Sequence, residues 1–143
     1  MMFFLEANFV VTDPLAHDKA MGFVLSLPYL MNMAFSKTLT DHDLELLEMI
    51  AGTTSTLQYM LAQSVVKEET ELVWGLLKEN HAMKDIFKTF RSAFNEITDV
   101  IQFSEFEQIH EGLKSALGSQ ESYEGAHERR QRAYEAIKDS IQI

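Results

Sequence analysis

The sequence contains no cysteine, which excludes a disulfide framework, a thiol nucleophile and a thiolate metal site. Its 143 residues include only 2 Pro and 6 Gly, a scarcity that argues for a globular, mostly helical chain and against a disordered one. Positive charge is also scarce: 12 Lys and Arg stand against 22 Asp and Glu, for a formal net charge of −10. Nucleic-acid binders need clustered basic residues, and anionic lipid attracts them too, so neither partner is expected. The one basic cluster, Glu128-Arg129-Arg130-Gln131-Arg132, is short, flanked by glutamate, and reads as a solvated helix face. No apolar run reaches the roughly 20 residues of a membrane span. The N-terminal MMFFLEANFVV lacks the basic start and long apolar core of a signal peptide. These absences leave a cytoplasmic domain, and 16.4 kDa with 46% hydrophobic residues is enough for a core.

The chain is organised around residues 12–37. Asp13 can cap the orphan N–H groups of a first turn, and Pro14 suits the first helical position. From Ala20 to Phe35 the only polar side chains are Ser26, Tyr29 and Asn32. A helix apolar on every side must be surrounded by other helices or by lipid, and this one is too short for lipid. It is therefore expected to be a central helix, bent near Pro28, with the other helices packed around it.

The rest of the chain reads as further helices. Thr40, Asp41 and Asp43 mark a start, with Leu44, Leu47, Met49 and Ile50 expected inward. Gly52-Thr53-Thr54-Ser55 ends that helix and opens the next, on which Leu57, Met60, Leu61 and Val65 follow at helical spacing. Thr70 is expected to cap a helix bearing Leu72, Val73, Leu76 and Leu77. Met83, Ile86, Phe87, Phe90, Phe94, Ile97 and Ile101 recur at three and four, an aromatic-rich face suited to a core or a subunit interface. Ser104-Glu105-Phe106-Glu107 has the pattern of a capping box, and Gly118-Ser119 closes the helix that follows it. A last helix over about 121–141 carries Tyr123, Tyr134, Ile137 and Ile141 in a narrow stripe, suited to docking on the domain or on a partner subunit. The expectation is all-α, with six to seven helices around the central one. Residues 3–11 fit either a short strand or a helix end.

Val11-Thr12-Asp13-Pro14-Leu15-Ala16-His17-Asp18, followed by Leu27-Pro28-Tyr29, resembles the opening of the C-terminal helical domain of prephenate dehydrogenases. Ala51-Gly52-Thr53-Thr54, Glu71-Leu72-Val73-Trp74 and Asn80 follow in the order of the archaeal-type members, and the resemblance covers roughly residues 8–100. It implies an NAD(P)-dependent oxidative decarboxylation of prephenate to 4-hydroxyphenylpyruvate in tyrosine biosynthesis, with arogenate as the aminated alternative substrate. It also implies a homodimer intertwined about a two-fold axis. Residues 1–12 would be the exit from a nucleotide-binding domain, and 13–143 the helical dimerisation and substrate-side domain. In that family the Gly-rich phosphate loop and the histidine that polarises the hydroxyl belong to the nucleotide-binding domain. Neither motif is in these residues, so NAD or NADP would be bound mainly by the absent domain, and this chain alone is expected to be inactive.

The same resemblance places His17 at the substrate end of the inter-domain cleft and Tyr29 where many relatives carry a second histidine. As helix neighbours His17 and Asp18 diverge by about 100°, so one is expected in a cleft and the other anchoring the helix start. The Gly52-Thr53-Thr54 turn offers backbone N–H groups and two hydroxyls to an anion. The expected substrate contacts are thus His17, Asp18, Tyr29, Thr53 and Thr54. Many family members also place an arginine near this turn to clamp a carboxylate, and here the first arginine is Arg91. Two other readings use the same residues. One is a stand-alone helical dimerisation or regulatory module. The other is a metal-dependent phosphohydrolase with His17, His42-Asp43 and Asp85 or Asp99 as ligands. His81, His110 and His127 are expected to face solvent.

Overall fold

Asp13 caps the first helix as its position demands: its Oδ1 accepts from the Leu15 and Ala16 N–H groups at 3.0 Å each. The computed structural model describes residues 13–101 and 106–141. Helix α1 (Pro14–Met21) runs through one wide π turn, Gly22–Ser26, into α2 (Leu27–Leu39). Then follow α3 (Leu44–Ile50), α4 (Thr53–Lys67), α5 (Thr70–Lys78), α6 (Met83–Ile101), α7 (Phe106–Leu117) and α8 (Gln120–Ile141). Counting α1, the π turn and α2 as one rod gives seven, and there is no strand among the described residues. The all-α expectation holds. The expected exit segment over 1–12, and Ser104 and Glu105 of the capping box, lie outside the described residues.

The irregularity expected at Pro28 sits just before it. Pro28 is the second residue of α2, and the ladder has already widened, the Leu27 N–H reaching back to the Gly22 carbonyl. A proline ring crowds the carbonyl four residues back and offers that carbonyl no donor. One widened turn at this point takes up both problems. The Asn32 side chain then donates to the Pro28 carbonyl at 2.9 Å.

Helix α4 lies along α2 in the same direction. Gln58 Nε2 donates to Asn32 Oδ1 at 2.7 Å, and Phe35 meets Tyr59 edge-on with centroids 6.3 Å apart. Asn32 is only 8% exposed, and these two bonds occupy both ends of its amide, as burial requires. The short α3 carries the chain back so that α4 can start level with α2.

The buried apolar side chains fall in two places: Ala62 and Val65 on α4, which packs along α2, and Val73 of α5 with Met83 and Ile86 of α6, near where the π turn meets those helices. Gly22 makes the crossing possible: a Cβ there would run into Ile86 Cδ1 and stand 3.3 Å from Met83 Sδ. Asn80 closes the junction, its Nδ2 donating to the Asp18 carbonyl at 2.7 Å while its Oδ1 accepts from the Ala82 N–H at 2.9 Å.

Several expected inward faces are open within this chain. Phe23, Val24, Met31 and Met33 of the central rod are exposed, so it is not surrounded on every side. On α3, Leu47 is half-buried, while Leu44 is exposed and Met49 and Ile50 are 76% and 68% exposed. On α4, Val65 is buried as its spacing suggests, with Ala62 beside it, while Met60 and Leu61 are exposed. The stripe of α6 is covered at its start by Met83 and Ile86, and opens at Phe94 and Ile101. Thr70 is the first residue of α5 and not its cap, which is Glu69 with no side-chain bond. Periodicity tells which side of a helix is apolar; it does not tell which chain supplies the cover.

Candidate functional site

His17 and Asp18 stand one turn into α1, at the open end of the central rod. The His17 backbone N–H is tied to the Asp13 carbonyl at 3.0 Å, so the Asp13-Pro14 start fixes where the ring projects. His17 Nδ1 lies 3.6 Å from Asp18 Oδ1, with the two side chains 59% and 41% exposed. The expected divergence therefore gives way: neighbouring side chains on a helix can still turn toward each other at the rim. The pair offers an imidazole, held beside a carboxylate, to whatever meets this end. Asn80 fixes the same turn from below through the Asp18 carbonyl.

The other expected contacts form a separate group. Tyr29 is half-buried in the first turn of α2, and Thr53 is half-buried and Thr54 exposed at the start of α4. The register that sets Asn32 against Gln58 brings the first turn of α4 level with Pro28 and Tyr29. Twelve residues of continuous rod separate Tyr29 from His17, roughly 18 Å at helical rise. One small ligand does not touch both groups within one copy.

An arginine does reach the second group. Arg130 of α8 donates from Nη1 to Thr54 Oγ1 at 3.4 Å, and its Nη2 lies 3.0 Å from His127 Nδ1. Residues 127–132 are all exposed, as expected of a solvated face, and Arg130 reaches Thr54 across its rim. Gly52 caps α4 without any side-chain bond of its own. The chemistry on offer is a guanidinium, a hydroxyl and a helix N-terminus, all of which favour a carboxylate. The sequence signal for this was faint, because Arg130 and Thr54 are 76 residues apart and only the return of α8 onto α4 joins them.

Among the described residues no group of three or more His, Asp or Glu side chains is placed to hold a metal ion. His17, His42-Asp43 and Asp85 or Asp99 therefore do not converge as a phosphohydrolase would need. His110 stacks on Phe106, with ring centroids 5.9 Å apart. No helix among the described residues is long and apolar enough to cross a membrane.

The described residues form a helical bundle whose central rod carries a polar pair at one end, with apolar side chains exposed along several helices. The family model described as "Prephenate dehydrogenase, dimerization domain" matches residues 13–115, and the chain belongs to that family. The match takes in α1 to most of α7 and leaves α8 outside it. Neither a search of curated proteins nor a search of solved structures gives a match.

Proposed function

We propose that this chain is the dimerisation and substrate-side part of an NAD(P)-dependent prephenate dehydrogenase acting in tyrosine biosynthesis. It pairs with a second copy and has no dehydrogenase activity without a nucleotide-binding domain. The observation that carries the reading is the family match over 13–115. Two features support it. The His17–Asp18 pair and Leu15 are exposed at the open end of α1, where a second domain can meet a bound substrate. The exposed apolar residues of α6 and α7, among them Phe94, Ile101, Leu113 and Leu117, form a surface that a second copy can bury, whether by docking or by intertwining.

In this reading a nucleotide-binding domain supplies NAD or NADP, which takes hydride from the ring carbon bearing the hydroxyl of prephenate. The ring carboxylate leaves as carbon dioxide, giving 4-hydroxyphenylpyruvate; arogenate is the aminated alternative substrate. His17 contacts the substrate and Asp18 orients its ring. Tyr29, Thr53 and Thr54 form the second group, with the Arg130 guanidinium beside it as the cation for a carboxylate. The protein works in the cytoplasm.

The test is a titration of the chain and its His17→Ala variant with prephenate and with 4-hydroxyphenylpyruvate. Weaker binding by the variant is expected. Equal binding by both removes His17 from the site, and no binding by either removes the substrate-side role.

A further inference from the structure

Between α1 with the π turn on one side and α5 on the other lies a cleft that shares only Asp18 with the roles above. Its volume is about 430 Å³, within the range of small-molecule sites, which starts near roughly 300 Å³. Asp18, Glu71 and Glu79 line it together with the apolar Leu72 and Leu76, and neither lysine nor arginine is among its walls. Lys78, next along from this wall, is drawn over the Trp74 ring at 5.1 Å from the centroid. The basic group nearest Asp18 is the His17 ring at 3.6 Å.

Carboxylates at a surface are ordinary; the buried hydroxyl beside them is not. Ser26 is 2% exposed and lines this cleft. It makes no side-chain hydrogen bond to another described residue. The π turn explains why. In regular helix a serine hydroxyl usually bonds a carbonyl one turn back, as Ser36 does to the Asn32 carbonyl at 2.9 Å. Through Gly22–Ser26 the ladder is wider, the carbonyls are displaced, and the Ser26 hydroxyl is left over. The residue is nearly enclosed, and the side left open to its hydroxyl is the cleft.

We infer that this cleft binds a small organic cation, a primary ammonium group on an apolar body. Asp18, Glu71 and Glu79 supply the negative field, the Ser26 oxygen accepts an ammonium N–H, and the body lies over Leu72 and Leu76. The site shares Asp18 with the dehydrogenase reading and otherwise stands on its own geometry.

A matched pair of probes tests it. The 143-residue chain is titrated with 2-phenylethylammonium and with 3-phenylpropionate, which have similar apolar bodies and opposite charges, and amide shifts are followed by NMR. The cation is expected to bind saturably and at least about tenfold more tightly than the anion. Shifts should centre on residues 18–26 and 71–80. Glu79→Gln, at an exposed position, and Ser26→Ala should each weaken the cation several-fold while circular dichroism stays unchanged. Equal affinity for the two probes, saturation by neither, shifts centred elsewhere, or a Glu79→Gln variant that binds as before each overturns the inference.

Discussion

Asn80 donates from Nδ2 to the Asp18 carbonyl at 2.7 Å, a link between residues 62 positions apart. The same side chain accepts from the Ala82 N–H at 2.9 Å, so one amide ties the start of α6 to the turn that carries the His17–Asp18 pair. Asn80→Ala leaves the Ala82 N–H without this acceptor and frees the Asp18 carbonyl. A loss of about 1–3 kcal/mol in unfolding free energy is expected, read from urea denaturation. Asn80→Asp keeps the acceptor for Ala82 and loses the donor, so it should fall between wild type and Asn80→Ala. Equal midpoints for all three would mean that the link carries no stability.

Gly22 is required by contact, not by backbone conformation, since its φ of −59° is ordinary helix. A methyl group there runs into Ile86, which is 3% exposed and has little room to retreat. Gly22→Ala should destabilise by about 1–3 kcal/mol, despite the better helix propensity of alanine. Adding Ile86→Val removes the colliding methyl and should recover part of the loss. Thermal denaturation of the single and double variants checks this, and an alanine variant as stable as wild type contradicts the close crossing.

Much of this fold could be read in advance, and the parts that could not have physical reasons. The Asp13-Pro14 start, the Asp43 cap that accepts from the Leu46 N–H at 3.1 Å, and the Met83–Ile86 side of α6 are local signals and were legible. The π turn was not, because GFVLS has the composition of any apolar helix and the widening is settled by Pro28 together with the packing on Gly22. The facing of Met49 and Ile50 was misjudged, since an apolar stripe looks the same whether its cover comes from this chain or another. Of the candidate site, His17 and Asp18 rest on pattern, and their mutual approach was not legible in it. Arg130 was missed, because its relation to Thr54 exists only once α8 has returned to α4.

Arg130 gives a prediction that separates binding from stability. Its contact with Thr54 is exposed and 3.4 Å long, so Arg130→Ala should cost less than about 1 kcal/mol of stability. The same variant should weaken prephenate binding several-fold if the second group holds a carboxylate, with Arg130→Lys recovering only part, because an ammonium cannot make the paired contact. Calorimetric titration beside a melting curve reads both quantities. Unchanged affinity would return the cluster to a surface role.

On α7, a hydrogen bond from Lys114 Nζ at 2.6 Å, reinforced by the Lys114 charge, holds the Glu111 carboxyl below its ordinary value of 4.5. A lowered folded value means that this pair adds stability above the unfolded carboxyl value. That contribution is lost as pH falls through the lower, folded value. Both groups are exposed, so the effect on the whole chain is small and is best followed at the residue. The Glu111 side-chain carbonyl should titrate below pH 4.5 in wild type, and Lys114→Met should move it back up. No movement in the variant would show that Lys114 is not the cause.

The measurement that bears most directly on the assembly role is the solution mass of the 143-residue chain, by light scattering after gel filtration, alone and with Phe94→Asp. Twice 16.4 kDa is expected for wild type, because its α6 and α7 faces need cover, and a shift toward the single mass is expected for the variant. A wild-type chain that runs at 16.4 kDa at all concentrations and unfolds cooperatively would show that the exposed faces need no second copy, and would contradict the assembly role.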